Sequence, residues 1–133
     1  MIKFKSNSKR LKQELLDLEK ENKNLFDLLA DLNLFCTINF SKDAVITMIY
    51  RTQEEQDNLY RNSPKYKKRK FKSSHQFWHG VDIRSWNFTP KQVNKIEEYL
   101  NSKYNKTNFY KWTAKAHNVG SGIHFHIQYT RRQ

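Results

Sequence analysis

Cysteine is nearly absent from this chain. The single Cys36 cannot close an internal disulfide, so the fold does not depend on an oxidising compartment, and the thiol is expected in the apolar interior. Glycine and proline are also scarce, and the stretch from Lys9 to Leu34 has neither, which leaves nothing there to break a helix. Acidic residues are few: thirteen Asp and Glu face twenty-five Lys and Arg, a net charge of +12. Such a surface attracts an anionic polymer, either nucleic acid or an anionic cell wall. No apolar run approaches the ~20 residues of a membrane span. The first residues, MIKFKSNSKRLKQELL, meet charges long before a signal-peptide core. The expectation is a soluble protein made in the cytoplasm without an export signal of its own.

What is present is enough for a core. Apolar residues make up 37% and aromatics 14% of 133 residues, which fits one domain over 1–133 and excludes a disordered chain. In 9–34, Leu11, Leu15, Leu18, Leu25, Leu29 and Leu32 recur at spacings of four and three, with Asn22 at the remaining position. The pattern predicts one N-terminal helix. Its seam packs on its own domain, or pairs with a second copy in a coiled-coil dimer whose register Asn22 would fix.

AVITMIY, from Ala44, reads as a buried strand, and Thr52-x-x-Glu55 as a capping box opening a short helix. Pro64 to Lys72 carries six basic residues in nine, which suits a solvated loop or a contact for phosphate or another anion. Gly80 to Arg84 reads as a strand. Thr89-Pro90, with Gln92 three beyond the cap, announces a helix to about Lys103. Phe109 to Ala116 and Ile123 to Tyr129 read as strands joined by the turn residues of HNVGSG. The order predicts an α+β fold, a mostly antiparallel sheet flanked by helices.

All five histidines fall between His75 and His126. Strand alternation in GIHFHIQY puts His124 and His126 on one face, where two imidazoles are costly to bury without partners. Catalytic zinc takes three protein ligands and leaves one position to water; His75, Asp82 and one histidine of HFH would supply the set. The alternative is a surface histidine pair beside an unrelated His-Asp hydrogen bond.

SSHQFWHGVDIR resembles the Ser-x-His-(six residues)-Asp motif of zinc D-Ala-D-Ala carboxypeptidases and phage L-alanyl-D-glutamate endolysins. IHFHIQ is similar to the His-x-His end of that fold, which the hedgehog signalling domain shares. IYRTQEEQDNLY is similar to the family's Arg-Thr at a strand end, followed by a helix with Gln and a Leu-Tyr pair. The three motifs occur in the family's order over roughly 44–130. The resemblance implies a hedgehog/DD-peptidase-like fold with His75, Asp82 and His126 as Zn2+ ligands. It implies that Arg51 holds a substrate carboxylate or the developing oxyanion, with Ser73 and Gln56 in supporting or substrate-binding positions.

Two departures stand out. Where the family usually has Gly and Ala, three and five residues after the first histidine, this chain has Trp78 and Gly80. Trp78 would wall the substrate groove or pack in the core, and His79 matches no ligand of the family. Many members also carry a carboxylate base three residues before the last ligand. Here that residue is Ile123, and no Asp or Glu follows Glu98. The proton then falls to an imidazole: His124 as base, with His117 holding substrate or transition state.

The function expected is hydrolysis of a peptide bond in the stem or cross-link of bacterial peptidoglycan, by an enzyme of phage lysis or of the virion. A metal-binding module of the same fold without catalysis is the first alternative. A basic nucleic-acid-binding protein is the second.

Overall fold

A computed structural model describes residues 1–118 and 123–133. Its centre is a five-stranded sheet of β1 (Lys3–Phe4), β2 (Val45–Met48), β3 (Gly80–Arg84), β4 (Ala114–Asn118) and β5 (Ile123–Gln128), in the order β1-β2-β3-β5-β4. The helices are α1 (Lys9–Glu21), α2 (Lys23–Phe40), α3 (Gln53–Leu59), α4 (Pro64–Lys68) and α5 (Pro90–Tyr104), with a 3₁₀ turn at Ser74–Phe77. The α+β class is as expected, but the sheet is mixed: three pairings are antiparallel and β1 runs parallel to β2. A two-residue edge strand carries no alternation to read, which is why β1 was not expected. The turn assigned to HNVGSG falls on 119–122, outside the described residues.

The N-terminal helix is two helices. Asn22 leaves the helical region at φ −153° and caps α2, its Oδ1 accepting from Leu25 N at 3.2 Å. Its Nδ2 donates to the carbonyls of Trp78 and Tyr129 at 2.9 and 2.8 Å. A polar residue at a seam position thus serves its own fold, tying the helix pair to both motif segments. Leu11, Leu18, Leu25, Leu29 and Leu32 are buried in the domain's own core, so the leucine seam is consumed internally. Asn22→Ala should cost about 2–4 kcal/mol, one cap and two hydrogen bonds to partly buried carbonyls, measured as a shift of the urea midpoint.

Three further boundaries moved. The basic stretch opens not with a loop but with α4, capped by Ser63 with Pro64 in its first turn. Buried Tyr66 fastens it: the phenol donates to Asp57 at 2.6 Å and the ring lies against Tyr60 and Phe71, while Lys65, Lys67 and Lys68 stay exposed. The strand expected from Phe109 begins only at Ala114, because side-chain amides take the preceding backbone groups. Asn108 Oδ1 accepts from Tyr110 N at 3.0 Å, and Asn101 Oδ1 accepts from Thr113 N and Ala114 N at 2.8 and 3.0 Å. The strand in AVITMIY is four residues long and ends at Met48. The helix from Pro90 and the capping box of Thr52 with Glu55 form as expected.

One face of the sheet is core. Ile46, Val81, Ile83, Phe125 and Ile127 are at most 1% exposed and pack with α1, α2 and α5; each such side chain contributes about 1.5–3 kcal/mol of burial. Alternation sends Asp82, Arg84, His124, His126 and Gln128 to the opposite, open face. Cys36 is fully buried, and burial pushes its thiol pKa up to about 12.

Arg10 clamps α1 to α3, donating to both oxygens of Glu55 at 2.9 Å. The hydrogen bonds from Arg10 hold the Glu55 pKa at about 2, below its usual 4.5. A depressed carboxylate stabilises the fold above its unfolded pKa, and the gain is lost as pH falls from about 4.5 toward 2. Asp31, hydrogen-bonded by Lys103, Tyr104 and Tyr99 despite its burial, adds in the same direction. Thermal midpoints should fall between pH 5 and 3, with a shallower fall in Glu55→Gln.

Candidate metal centre

The site is assembled from three segments. Ser73 accepts from His75 N at 3.2 Å, and its own N–H donates to Gln76 Oε1 at 2.9 Å, a capping box that tightens the 3₁₀ turn and fixes His75. The turn lies on β3 because Gly80 has no side chain: a Cβ there would stand 2.3 Å from Ser74 Oγ and 3.2 Å from His126 Cε1. On the sheet, Asp82 of β3 pairs in register with His126 of β5.

These placements bring His75, Asp82 and His126 together. Asp82 Oδ1 is 3.2 Å from His75 Nε2 and 2.9 Å from His126 Nδ1. One ligand atom from each lies within 4.8 Å of the other two. His75 Nδ1 is 3.0 Å from the carbonyl oxygen of Ile49. A carbonyl only accepts, so Nδ1 carries a proton and the lone pair of a neutral His75 is on Nε2, facing the carboxylate. Two acceptors in contact repel, and a cation between them, proton or metal ion, removes the conflict. Burial works against an ionised Asp82, but the hydrogen bond from His126, joined by one from His75 when a proton sits on its Nε2, outweighs it and holds its pKa well below the usual range. The donor set, one carboxylate and two imidazoles, fits a metal ion, and the backbone partner of His75 orients the ring as ligating histidines are commonly oriented.

The hydroxyl beside the second imidazole belongs to Ser74, not Ser73: its Oγ is 3.0 Å from His126 Nε2. Ser73 acts on the backbone of His75 instead. Gly80→Ala should therefore push Ser74 off His126 and lower metal affinity about tenfold, and Ser74→Ala with Gly80 in place should lower it by a similar factor, checked by competitive zinc titration.

The three residues sit in a cleft of about 820 Å3, lined also by Arg51, Gln56, Tyr60, Phe71, Lys72, Tyr110, Trp112, His117 and His124. Arg51 is 8% exposed; it donates to Gln56 Oε1 at 2.9 Å and contacts Met48 Sδ at 3.1 Å. Gln56, fully buried, donates in turn to the carbonyl of Phe71 at 3.2 Å, so it positions Arg51. His124 pairs in register with His117 of β4, and the ring of His117 lies 6.0 Å from that of His126. Partial desolvation, then the neighbouring His126, push the His117 pKa down. Among the residues lining the cleft, Asp82 is the one carboxylate.

Trp78 does not line the cleft. It stacks on Tyr50 with ring centroids 4.7 Å apart and packs on the core, in the left-handed region at φ 61°. That conformation favours glycine, the residue the resembled motif usually has there. His79 turns away to Tyr110, its Nδ1 3.0 Å from the phenol oxygen, and burial lowers its pKa. Trp112 is the indole of the cleft, 5.7 Å from His126, a role its sequence context did not signal. Among the described residues, no helix is long and apolar enough to cross a membrane. Compared with known proteins, the chain matches no family model, no curated protein and no solved structure.

Proposed function

We propose that the chain is a zinc-dependent peptidase acting on a peptide bond of bacterial peptidoglycan, from phage lysis or the virion. The observation that carries this reading is the meeting of His75, Asp82 and His126 at an open cleft that also holds Arg51 and His124. Zinc fits a two-imidazole, one-carboxylate set that leaves a position for water. The resemblance of three motifs to cell-wall zinc peptidases supplies the substrate class, and the net charge of +12 suits a wall that bears anionic polymers.

The chemistry zinc supplies in such a site is a water acidified to a pKa of about 7 and a polarised scissile carbonyl. The chain's own groups do the rest. Arg51, preset by Gln56, receives negative charge on the substrate or on the carbonyl oxygen as it develops. His124 takes a proton from the attacking water and passes it to the leaving amine. His117 holds the substrate beside it, and Tyr60, Phe71, Tyr110 and Trp112 give the peptide apolar walls.

The cleft's lack of a second carboxylate favours one other reading, a metal-binding interaction module of the same fold without catalysis. The test is digestion of purified peptidoglycan from several wall types by zinc-loaded, chelated and His75→Ala protein, with mass spectrometry of the products. Zinc-dependent fragments of defined mass would name the bond. Intact walls in the presence of protein that retains zinc would defeat the peptidase reading in favour of the module.

A further inference from the structure

We infer that Arg84 forms a second carboxylate-binding position, so that the preferred substrate is a peptide with two free carboxylates, one for Arg51 and one for Arg84. The inference rests on the peptidase reading and narrows its substrate class.

Val81 and Ile83 of β3 point into the core, so Asp82 and Arg84 both point to the open face. Two residues along a strand is about 7 Å, one step of the open face beyond the metal row. In register, Asp82, His126 and Lys115 form one row across β3, β5 and β4, and Arg84, His124 and His117 form the next. The second row contains no acid. β2 runs antiparallel to β3 with Met48 opposite Asp82, so Arg51, beyond Met48, leaves the sheet toward the other end of the site, its backbone N–H directed at the carbonyl of His75 and its guanidinium held by Gln56 and Met48. Along the strand direction Arg51 and Arg84 thus stand at opposite ends of the chain segments that carry the metal ligands, with Arg51 in the cleft lining and Arg84 at its edge.

Arg84 is held ready for an anion. Its guanidinium lies over the Trp86 ring at 4.7 Å, and Trp86 is 73% exposed. Stacking fixes the plane of the fork without using its N–H donors, and among the described residues no carboxylate is paired with it. Arg10, by contrast, spends its donors on Glu14, Glu55 and the Tyr50 carbonyl. A half-buried, stacked and acid-free guanidinium one row from the reacting centre is suited to a substrate carboxylate, which it grips in a bidentate manner.

The experiment uses the full zinc-loaded chain and three probes: the tetrapeptide L-alanyl-γ-D-glutamyl-meso-diaminopimelyl-D-alanine, and two forms with either the glutamyl or the diaminopimelyl free side carboxylate amidated. Binding is read by stopped-flow tryptophan fluorescence before turnover, and products are assayed in the same samples. In wild type each amidation should weaken binding about tenfold, and Arg84→Gln should erase one of these penalties and leave the other; Arg84→Lys should restore it in part. Both penalties surviving in Arg84→Gln, no penalty in wild type, or no binding of any probe would overturn the inference. Arg84-dependent binding without products would defeat the peptidase reading and leave the carboxylate position standing. Cleavage without Arg84-dependent discrimination would remove the position alone.

Discussion

Asp82→Asn should abolish zinc binding while leaving the metal-free fold intact. Asp82 Oδ1 is the atom both imidazoles face, so its loss takes the central ligand from the set. The substitution is nearly isosteric, and an asparagine amide can donate to the His75 Nε2 lone pair, which the carboxylate opposes unless a proton or metal ion lies between them. The metal-free midpoint should stay within about 1 kcal/mol of wild type or rise. The zinc response should vanish. At zinc a thousandfold above Kd, binding stabilises the wild-type fold by about 4 kcal/mol, on the order of 10 °C in Tm. Calorimetric scans with zinc and with chelator would show that gap in wild type and none in Asp82→Asn. Hydrolysis should disappear with it.

His124→Ala should lower hydrolysis by about 10²–10⁴-fold while the protein keeps one zinc. His124 lies one row from the metal ligands on the open face, and Asp82 aside, the residues lining the cleft offer no carboxylate for the proton. Because Asp82 is committed to His75 and His126, proton transfer has only imidazoles to use. His117→Ala should cost less, raising KM more than it lowers kcat, since His117 is assigned to holding substrate. Single-turnover rates on a defined fragment, with zinc content measured for each variant, separate the two roles. Unchanged rates in both variants would transfer the base to a residue outside this account.

The metal site was legible because it depends on spacing. Two histidines two apart on a strand must share a face, and the register of β3 with β5 then carries Asp82 to His126. The shared face of His124 and His126 was readable; which of them meets Asp82 depends on that register, which composition does not contain. Cap chemistry was equally local: Thr52 with Glu55 and Thr89 with Pro90 announced their helices. Ser63-Pro64 carries the same signal, but the run of lysines that follows has no apolar periodicity to mark a helix.

What failed was nonlocal. Asn22 looked like a seam position because the leucine spacing continues through it; only the carbonyls of Trp78 and Tyr129, far along the chain, give it a reason to break the helix. Trp78 and Trp112 could not be ranked as cleft residues, because which indole faces the site depends on how the 3₁₀ turn and the segment before β4 pack. Likewise Ser74, not Ser73, meets His126 because Gly80 lets the turn approach the sheet. A serine pair beside a histidine does not reveal which hydroxyl turns inward.

The most direct test of the account is X-ray absorption at the zinc edge on protein reconstituted with one equivalent. The prediction is one zinc per chain, bound by two imidazoles and further nitrogen or oxygen scatterers at about 2.0–2.2 Å, with no sulfur and with the signal lost in Asp82→Asn. Zinc that fails to bind, a sulfur ligand from Cys36, or an unchanged spectrum in Asp82→Asn would contradict a centre built from His75, Asp82 and His126.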